Sequence, residues 1–386
     1  MPPLTAAMMQ SIRKLAAEKK PAFGEGESHI PVEHYFSHEQ WNAEIAALFR
    51  KLPLIVAHSS ELLPGQVMAH DGYGLPLLLS RDKDDTLRCF LNVCRHRGMR
   101  LVDAAAPLSK ASVVCPYHGW TYKLDGELRH MPHAEAFSPC PTGERNLTAL
   151  PCAERFGLIW VVPDPQGMID LDAYLDAYLG ALNTEMPWYE IDQLVTFRTI
   201  EAEYPANWKL IVDAFLESYH IRVLHRDTIS PFFSDGITAS ERIGPHIYSL
   251  VARREALETF AEPESHETLR ELVTPSQVIF PNTITIFHPD YLSLVSLYPV
   301  GSERLRWVHR MLIPRDKATP DWAPHWEKTF NLIEQGVFQK EDIHAAVEIQ
   351  KGLRSGANRT LTIGRLEEGL TWFYEQVCLH TQGLAK

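Results

Sequence analysis

Cys94-Arg-His-Arg-Gly98 and Cys115-Pro-Tyr-His-Gly-Trp120 are the two segments on which the fold turns. Each offers one thiol and one imidazole within four residues and contains a glycine, which suits a tight loop. Each also comes after a β-prone run, Phe90 to Val93 for the first and Ala111 to Val114 for the second. Two such loops can grip one metal centre from opposite sides. Two irons bridged by sulfide would take both cysteines on one iron and both histidines on the other; the neutral imidazoles raise the potential above that of an all-cysteine cluster. Zinc uses the same four ligand types, but its usual spacing puts two cysteines in one loop and two histidines in the other. The mixed loops favour iron–sulfur, with a zinc-stapled ligand-binding module as the alternative.

Outward from these loops, residues 54–162 read as short β-prone runs punctuated by Gly and Pro, which predicts a small antiparallel β domain. Pro163-Asp-Pro-Gln-Gly167 marks its exit. Helices are expected over 39–50 and 171–182, helical character over 208–224, and closing helices over 322–352 and 366–380. A second β-rich block covers 193–204, 247–253, 277–287, 291–298 and 305–313; its alternation predicts a sheet with one wet and one dry face. The architecture expected is α+β, with antiparallel sheet and long helices. Its parts are an N-terminal arm over 1–40 that packs with the last domain, a cluster domain over 41–165 and a second domain over 166–386.

Composition narrows the function. A net charge of −12 argues against nucleic acid and anionic membrane surfaces as partners. There is no apolar run long enough to span a bilayer, and residues 1–20 do not read as a secretory signal. Six cysteines are too few and scattered for a disulfide framework in 386 residues, which fits the cytoplasm. Cys89, Cys140, Cys152 and Cys378 read as small packed side chains.

A second constellation lies in Asn207-Trp-Lys-Leu-Ile-Val-Asp-Ala-Phe-Leu-Glu-Ser-Tyr-His220 and, five residues on, His225. On a helix Glu217 and His220 share a face, and Asp213 lies one turn before Glu217. His225 falls about 140° round from His220, so both reach one metal only if the helix ends or widens between them. Two histidines and a distant carboxylate would make the facial triad of non-haem Fe(II). An amphipathic helix with surface histidines is the competing reading.

The two Cys/His loops resemble the cluster signature of Rieske proteins, and in particular the α subunit of Rieske non-haem iron oxygenases. Arg97, Gly98, Tyr117, Gly119 and Trp120 match that pattern as well, and the likeness runs from about His29 to the last helix. The resemblance implies that Cys94, His96, Cys115 and His118 hold a [2Fe–2S] cluster. It makes His220, His225 and Asp342 the ligands of a mononuclear Fe(II), with Glu341 as the neighbour to test against Asp342. Glu217, where many members have Asp, takes the place of the acid that bridges electrons from a neighbouring subunit's cluster, with Asp213 beside it. Ala214 stands where the motif often has Asn.

The likeness further implies a terminal oxygenase that activates O2 on a helix-grip (START-like) catalytic domain. Electrons come from NAD(P)H through a separate ferredoxin or flavin reductase, since no nicotinamide or flavin fingerprint is visible. A homotrimer is implied, with or without β subunits. Phe215, Leu216, Phe233, Phe280, Asn282 and Phe287 are the expected pocket residues, with Ile229, Ile279 and His288 near them. A mostly apolar cavity points to a small aromatic substrate, hydroxylated by a mono- or dioxygenase. The alternative is a monooxygenase or demethylase acting on a methylated or quaternary amine, whose cation would want an aromatic cage.

Overall fold

The computed structural model describes residues 1–72, 74–167, 169–254 and 262–382. Its contacts divide the chain into Phe49–Leu175 and a second unit made of Met1–Leu48 with Asp176–Lys386. Three antiparallel sheets build the first unit. The largest runs in the order Ala149–Leu150, Leu87–Leu91, Leu77–Arg81, Gln66–His70, Leu108–Ser109, and a second joins Cys152–Arg155, Leu158–Val161 and Leu54–His58. In the third, Val113–Val114 and Thr121–Tyr122 are joined by the loop that holds Cys115 and His118. Phe90, Val113, Trp120, Tyr122 and Leu124 pack with Cys94 and Cys115 in one buried cluster, so both thiols sit in the apolar core.

The second unit is organised on a seven-stranded antiparallel sheet. From one edge its strands are Leu194–Tyr204, Arg304–Pro314, Leu292–Gly301, Thr283–Phe287, Val273–Ile279, His246–Arg253 and Phe233–Ile243. The single β run expected over 277–287 is two strands, parted by a turn that contains the cis Phe280–Pro281 bond. Phe233–Ile243 has no counterpart among the expected strands. Its Ser, Asp, Gly and Glu residues break the apolar pattern, and pairing with His246–Arg253 makes it a strand.

Nor is this sheet half wet. All five residues of Thr283–Phe287 are buried, as is most of Leu292–Gly301 and Arg304–Pro314. The polar members of these strands are absorbed into internal hydrogen bonds. His309 bonds Glu334 through Nδ1 (2.7 Å) and Ser293 through Nε2 (3.0 Å). Glu334 belongs to the helical rod that starts at Ala323–Phe330, widens to a π-helix over Asn331–Ile343 and tightens again over His344–Leu353.

Two N-terminal helices belong to this unit. Pro3–Glu18 lies within the expected N-terminal arm, where the sequence predicts no helix, because its cap comes from afar: Glu185 accepts from the amides of Leu4 (3.1 Å) and Thr5 (3.2 Å). A carboxylate there complements the helix dipole and two otherwise unpaired N–H groups. Helix His38–Ala47, expected in the cluster domain, is instead fastened to the second unit. Its buried Glu44 accepts from Trp208 Nε1 (2.9 Å) and pairs with the fully buried Lys209. Removing one partner from such a pair costs about 3–5 kcal/mol, because the other charge is left buried.

Candidate active site

The two Cys/His loops are built on one hydrogen-bond frame. Cys94 N donates to Met99 O (2.8 Å) and Gly98 N to Cys94 O (3.0 Å). In the second loop Cys115 N donates to Trp120 O (2.8 Å) and Gly119 N to Cys115 O (3.0 Å). Gly98 (φ 78°) and Gly119 (φ 72°) hold left-handed conformations that a side chain disfavours, which explains the glycine in each motif. The imidazoles of His96 and His118 meet with centroids 4.6 Å apart, and His96 stacks on Trp120 at 5.0 Å. Tyr122 OH lies 3.4 Å from Cys94 Sγ and accepts from Arg95 N at 3.1 Å. His96 Nδ1 is buried without a hydrogen-bond partner among the described residues. Two buried thiols, two facing imidazoles and an orphaned ring nitrogen are the donor set that a mixed-ligand [2Fe–2S] cluster requires.

In the second unit, Asn207-Trp-Lys explains itself structurally. Asn207 caps helix Trp208–Ala214 by accepting from Lys209 N (3.0 Å), and its own amide donates to Gln350 Oε1 (2.7 Å). The helix stops at Ala214, well short of 224, and one further turn, Ile221–Leu224, carries His220 and His225 at its two ends. Leu216 lies in the break, and Gly369 packs there so closely that a Cβ on it would come 2.6 Å from Leu216 O. The interruption that both histidines need is therefore fixed by packing.

Each imidazole is held by a carboxylate at Nδ1. Glu217 binds Nδ1 of His220 and also accepts from the amides of Tyr219 and His220, while Glu341 lies 2.7 Å from Nδ1 of His225 and accepts from Thr228 Oγ1 (2.8 Å). A carboxylate only accepts, so both rings donate from Nδ1, and Nε2 is the ring atom that each leaves for a metal, with a lone pair there once a cation displaces any proton. The two Nε2 atoms converge on Asp342 Oδ1, at 3.7 Å from His220 and 3.1 Å from His225. Asp342 is buried, and its Oδ1 has no hydrogen-bond donor among the described residues. Three lone-pair atoms within 4.8 Å of one another repel unless a cation lies between them. Glu341 is thereby a positioning residue for His225, and His344 is exposed.

Asp213 lies in the last turn of its helix and Glu217 beyond the helix end, so the expected one-turn spacing on a common helix is not formed; the Asp213 carboxylate accepts from Tyr35 and pairs with neither histidine. Burial, against the opposing pull of Tyr35 and Lys209, pushes its pKa up to about 7. An acid whose folded pKa stands above its unfolded value of ~3.9 weakens the folded state progressively as pH rises between those values. Asp213→Asn keeps the acceptor for Tyr35 and removes the charge. Thermal melts of variant and parent should coincide below about pH 4 and separate progressively above it, in favour of the variant by ~2–4 kcal/mol near pH 8. A gap that is the same at both pH values would refute this.

A cavity of about 350 Å³ opens onto His220, His225 and Asp342. Phe215 and Phe233 line it as expected, with Ile229 and His288. Five expected residues do not, among them Ile279, which is buried in its strand. Leu216 is buried against Gly369, Phe280 packs on Phe373 (5.7 Å) and His380 (5.1 Å), Phe287 stacks on Tyr189 (4.0 Å), and Asn282 Nδ2 donates to Leu297 O (2.8 Å). For Phe287 strand parity is the reason, whereas Phe280 and Asn282 lie in the turn between Val273–Ile279 and Thr283–Phe287, and Leu216 lies in the helix break. Ile286 faces the cavity with its cross-strand partner Ser276, so Phe287 beside it faces away. Val251 and its partner Thr274 face in as well, which carries Arg253, two residues on, to the same side. Phe338, Tyr291, Phe232 and Arg253 are lining residues that the sequence reading misses. Phe338 sits one helical turn before Asp342, a spacing that would have pointed to it. His288 is pushed down to about 3, first by burial and then by nearby His309, Arg253 and Arg270, so it is neutral.

A pair of Cys/His loops with buried thiols on a β domain and a two-histidine, one-carboxylate cluster beside a cavity define a Rieske-type non-haem iron oxygenase. Residues 53–151 match the family described as Rieske [2Fe-2S] domain, and residues 191–383 match the ring hydroxylating alpha subunit (catalytic domain). The chain belongs to this family of oxygenase α subunits. It is similar to the carnitine monooxygenase oxygenase subunit of Acinetobacter pittii (strain PHEA-2), 28% identical over 91% of this chain and 94% of that one. It is 25% identical to the glycine betaine monooxygenase oxygenase subunit of Chromohalobacter salexigens over 86% and 81%. The solved structure of a quaternary ammonium Rieske monooxygenase in complex with L-carnitine has the same fold, with a TM-score of 0.77 at 24% identity over 95% of this chain and 98% of that one. As a family member the chain is a terminal oxygenase component. It uses a [2Fe–2S] cluster, a mononuclear iron and O2, and receives electrons through a separate reductase. Among the described residues no helix is long and apolar enough to cross a membrane.

Proposed function

We propose that this chain is the oxygenase of a monooxygenase system that hydroxylates a small methylated or quaternary amine next to its nitrogen. The observation that carries this reading is the cavity at His220, His225 and Asp342, walled by Phe215, Phe232, Phe233, Tyr291 and Phe338. Aromatic faces attract a methylated cation that cannot donate hydrogen bonds. The carnitine and glycine betaine enzymes, which match nearly the whole chain, support the same substrate class. Aromatic hydroxylation is the second reading, favoured by the same apolar walls and by the likeness of 60% of this chain to a chlorobenzene dioxygenase α subunit.

In this reading Cys94, His96, Cys115 and His118 hold the cluster, and His220, His225 and Asp342 hold Fe(II). When bound, the two centres supply electron transfer and the reduction of O2. The protein's own groups do the rest. Glu217 and Glu341 fix the two imidazoles, the aromatic walls place the substrate carbon and keep water out, and neutral His288 adds no charge. One C–H bond becomes C–OH, and the second oxygen leaves as water, at the expense of two electrons and two protons.

The assembly proposed is a homotrimer that passes electrons between subunits. A second cavity of about 640 Å³ is lined by Asp213, Glu217, His220, Asp342 and Glu367. On the cluster unit Met99, Val114 and Tyr117 are exposed near His96 and His118, a surface suited to docking there on a second copy. The test is turnover with a donor reductase and labelled O2, over a panel of quaternary amines and aromatic compounds. One labelled atom in an amine-derived product supports the proposal. Two labelled atoms in a ring diol, with no amine turned over, would replace it with the second reading.

A further inference from the structure

Among the described residues that line the inner cavity, Arg253 is the one Lys or Arg. Its guanidinium lies over the rings of Phe232 and Phe233, with its carbon 5.8 Å from each centroid. Among the described residues no carboxylate comes within ion-pair distance of it. Asp290, which lines the same cavity, is turned to His325 Nε2 at 2.7 Å. Arg253 also adds, after burial and His309, to the downward push on His288, another residue that lines the cavity.

A half-buried guanidinium on an apolar wall loses hydration, and two aromatic faces offset only part of that loss. Its five N–H donors have a fixed, planar geometry that suits a carboxylate in a bidentate pair. With His288 neutral, the wall offers one positive charge, which suits a monoanion better than a phosphate. We propose that Arg253 binds a carboxylate of the substrate, so that the compound taken by this cavity is a carboxylate-bearing molecule such as a betaine and not a simple cation or a hydrocarbon. The inference rests on the cavity being the substrate site, and it deepens the reading above. Aromatic walls take the methylated nitrogen and Arg253 takes the acid.

Calorimetric titration of the metal-loaded, oxygen-free enzyme with two matched pairs tests it. The pairs are 4-trimethylammoniobutyrate against n-butyltrimethylammonium, and benzoate against toluene. The parent enzyme should bind the carboxylate member of a pair about 10- to 100-fold more tightly, the range for a charge-assisted hydrogen-bonded pair. Arg253→Gln should abolish that preference while leaving the Kd of the uncharged-tail partner unchanged, which also reports an intact cavity. Arg253→Lys should keep part of it. A preference that survives in R253Q, or a parent enzyme that binds neither carboxylate or binds both members alike, overturns the inference. If R253Q loses both members of a pair, R253K decides: retained preference supports the role, and equal binding overturns it. Discrimination within the benzoate pair alone would sink the amine reading while leaving the role of Arg253 standing.

Discussion

Asp342→Ala is expected to remove the mononuclear iron while leaving the protein red-brown. The bound iron should fall from about three to about two per chain, and turnover should drop to background, because a two-histidine site without its carboxylate no longer balances the metal's charge. Glu341→Gln separates ligand from support. The carboxamide still reaches Thr228 and His225 but cannot fix the Nδ1–H tautomer as a carboxylate does, so iron affinity or activity should fall by about 10- to 100-fold. If the adjacent Glu341→Ala empties the site and Asp342→Ala keeps its iron, the ligand assignment is wrong. The geometry argues against that exchange. Oδ1 of Asp342 faces both Nε2 atoms, whereas Glu341 is spent on Nδ1 of His225.

Cys115→Ser should have the complementary effect, with a colourless protein that still loads one iron. The hydroxyl is a hard, poor ligand, so the visible absorbance and the reduced-state EPR signal of the cluster should both be lost. Stability should fall too, because Cys115 lies in the core of residues 49–175 beside Trp120 and Tyr122, and metal-binding free energy is also folding free energy. Hydrogen exchange should quicken in Val113–Val114 and Thr121–Tyr122 while Leu292–Gly301 is unchanged. Normal cluster absorbance in the variant, or iron lost from His220 and His225 instead, would contradict the assignment. Electron delivery fails in this variant, so turnover should stop even with the mononuclear site full.

The two sites were legible to different depths. The cluster ligands could be read from residue type and spacing because each pair lies within one loop, and a hydrogen-bond frame closed by Gly98 or Gly119 is itself a local sequence feature. His220 and His225 were legible for the same reason, with the condition that the helix end between them. The break itself was not, since it depends on the close packing of Leu216 against Gly369. Asp342 was placed by resemblance alone. A widened helix lying across the sheet brings it to the histidines, with Glu341 reaching His225 from 116 residues along the chain.

The misplaced pocket residues all depend on long-range structure. Phe287 is lost to parity, since facing in or out of a sheet reverses with one residue, while Phe280 and Asn282 sit in the turn before that strand and Leu216 in the helix break. Parity depends on where each strand begins, which long-range pairing of Val273–Ile279 with Thr283–Phe287 and of His246–Arg253 with Val273–Ile279 decides. The sequence by itself determined the chemistry: two Cys/His loops, two histidines that could share a metal, and an α+β chain. Only the tertiary structure decided which side chains share the cavity, that Glu341 supports and Asp342 converges, and that Arg253 faces inward. Ligand chemistry is written into short spans whose geometry is local. The shape of a pocket depends on strand register and helix width, which are settled by contacts between residues far apart in the chain.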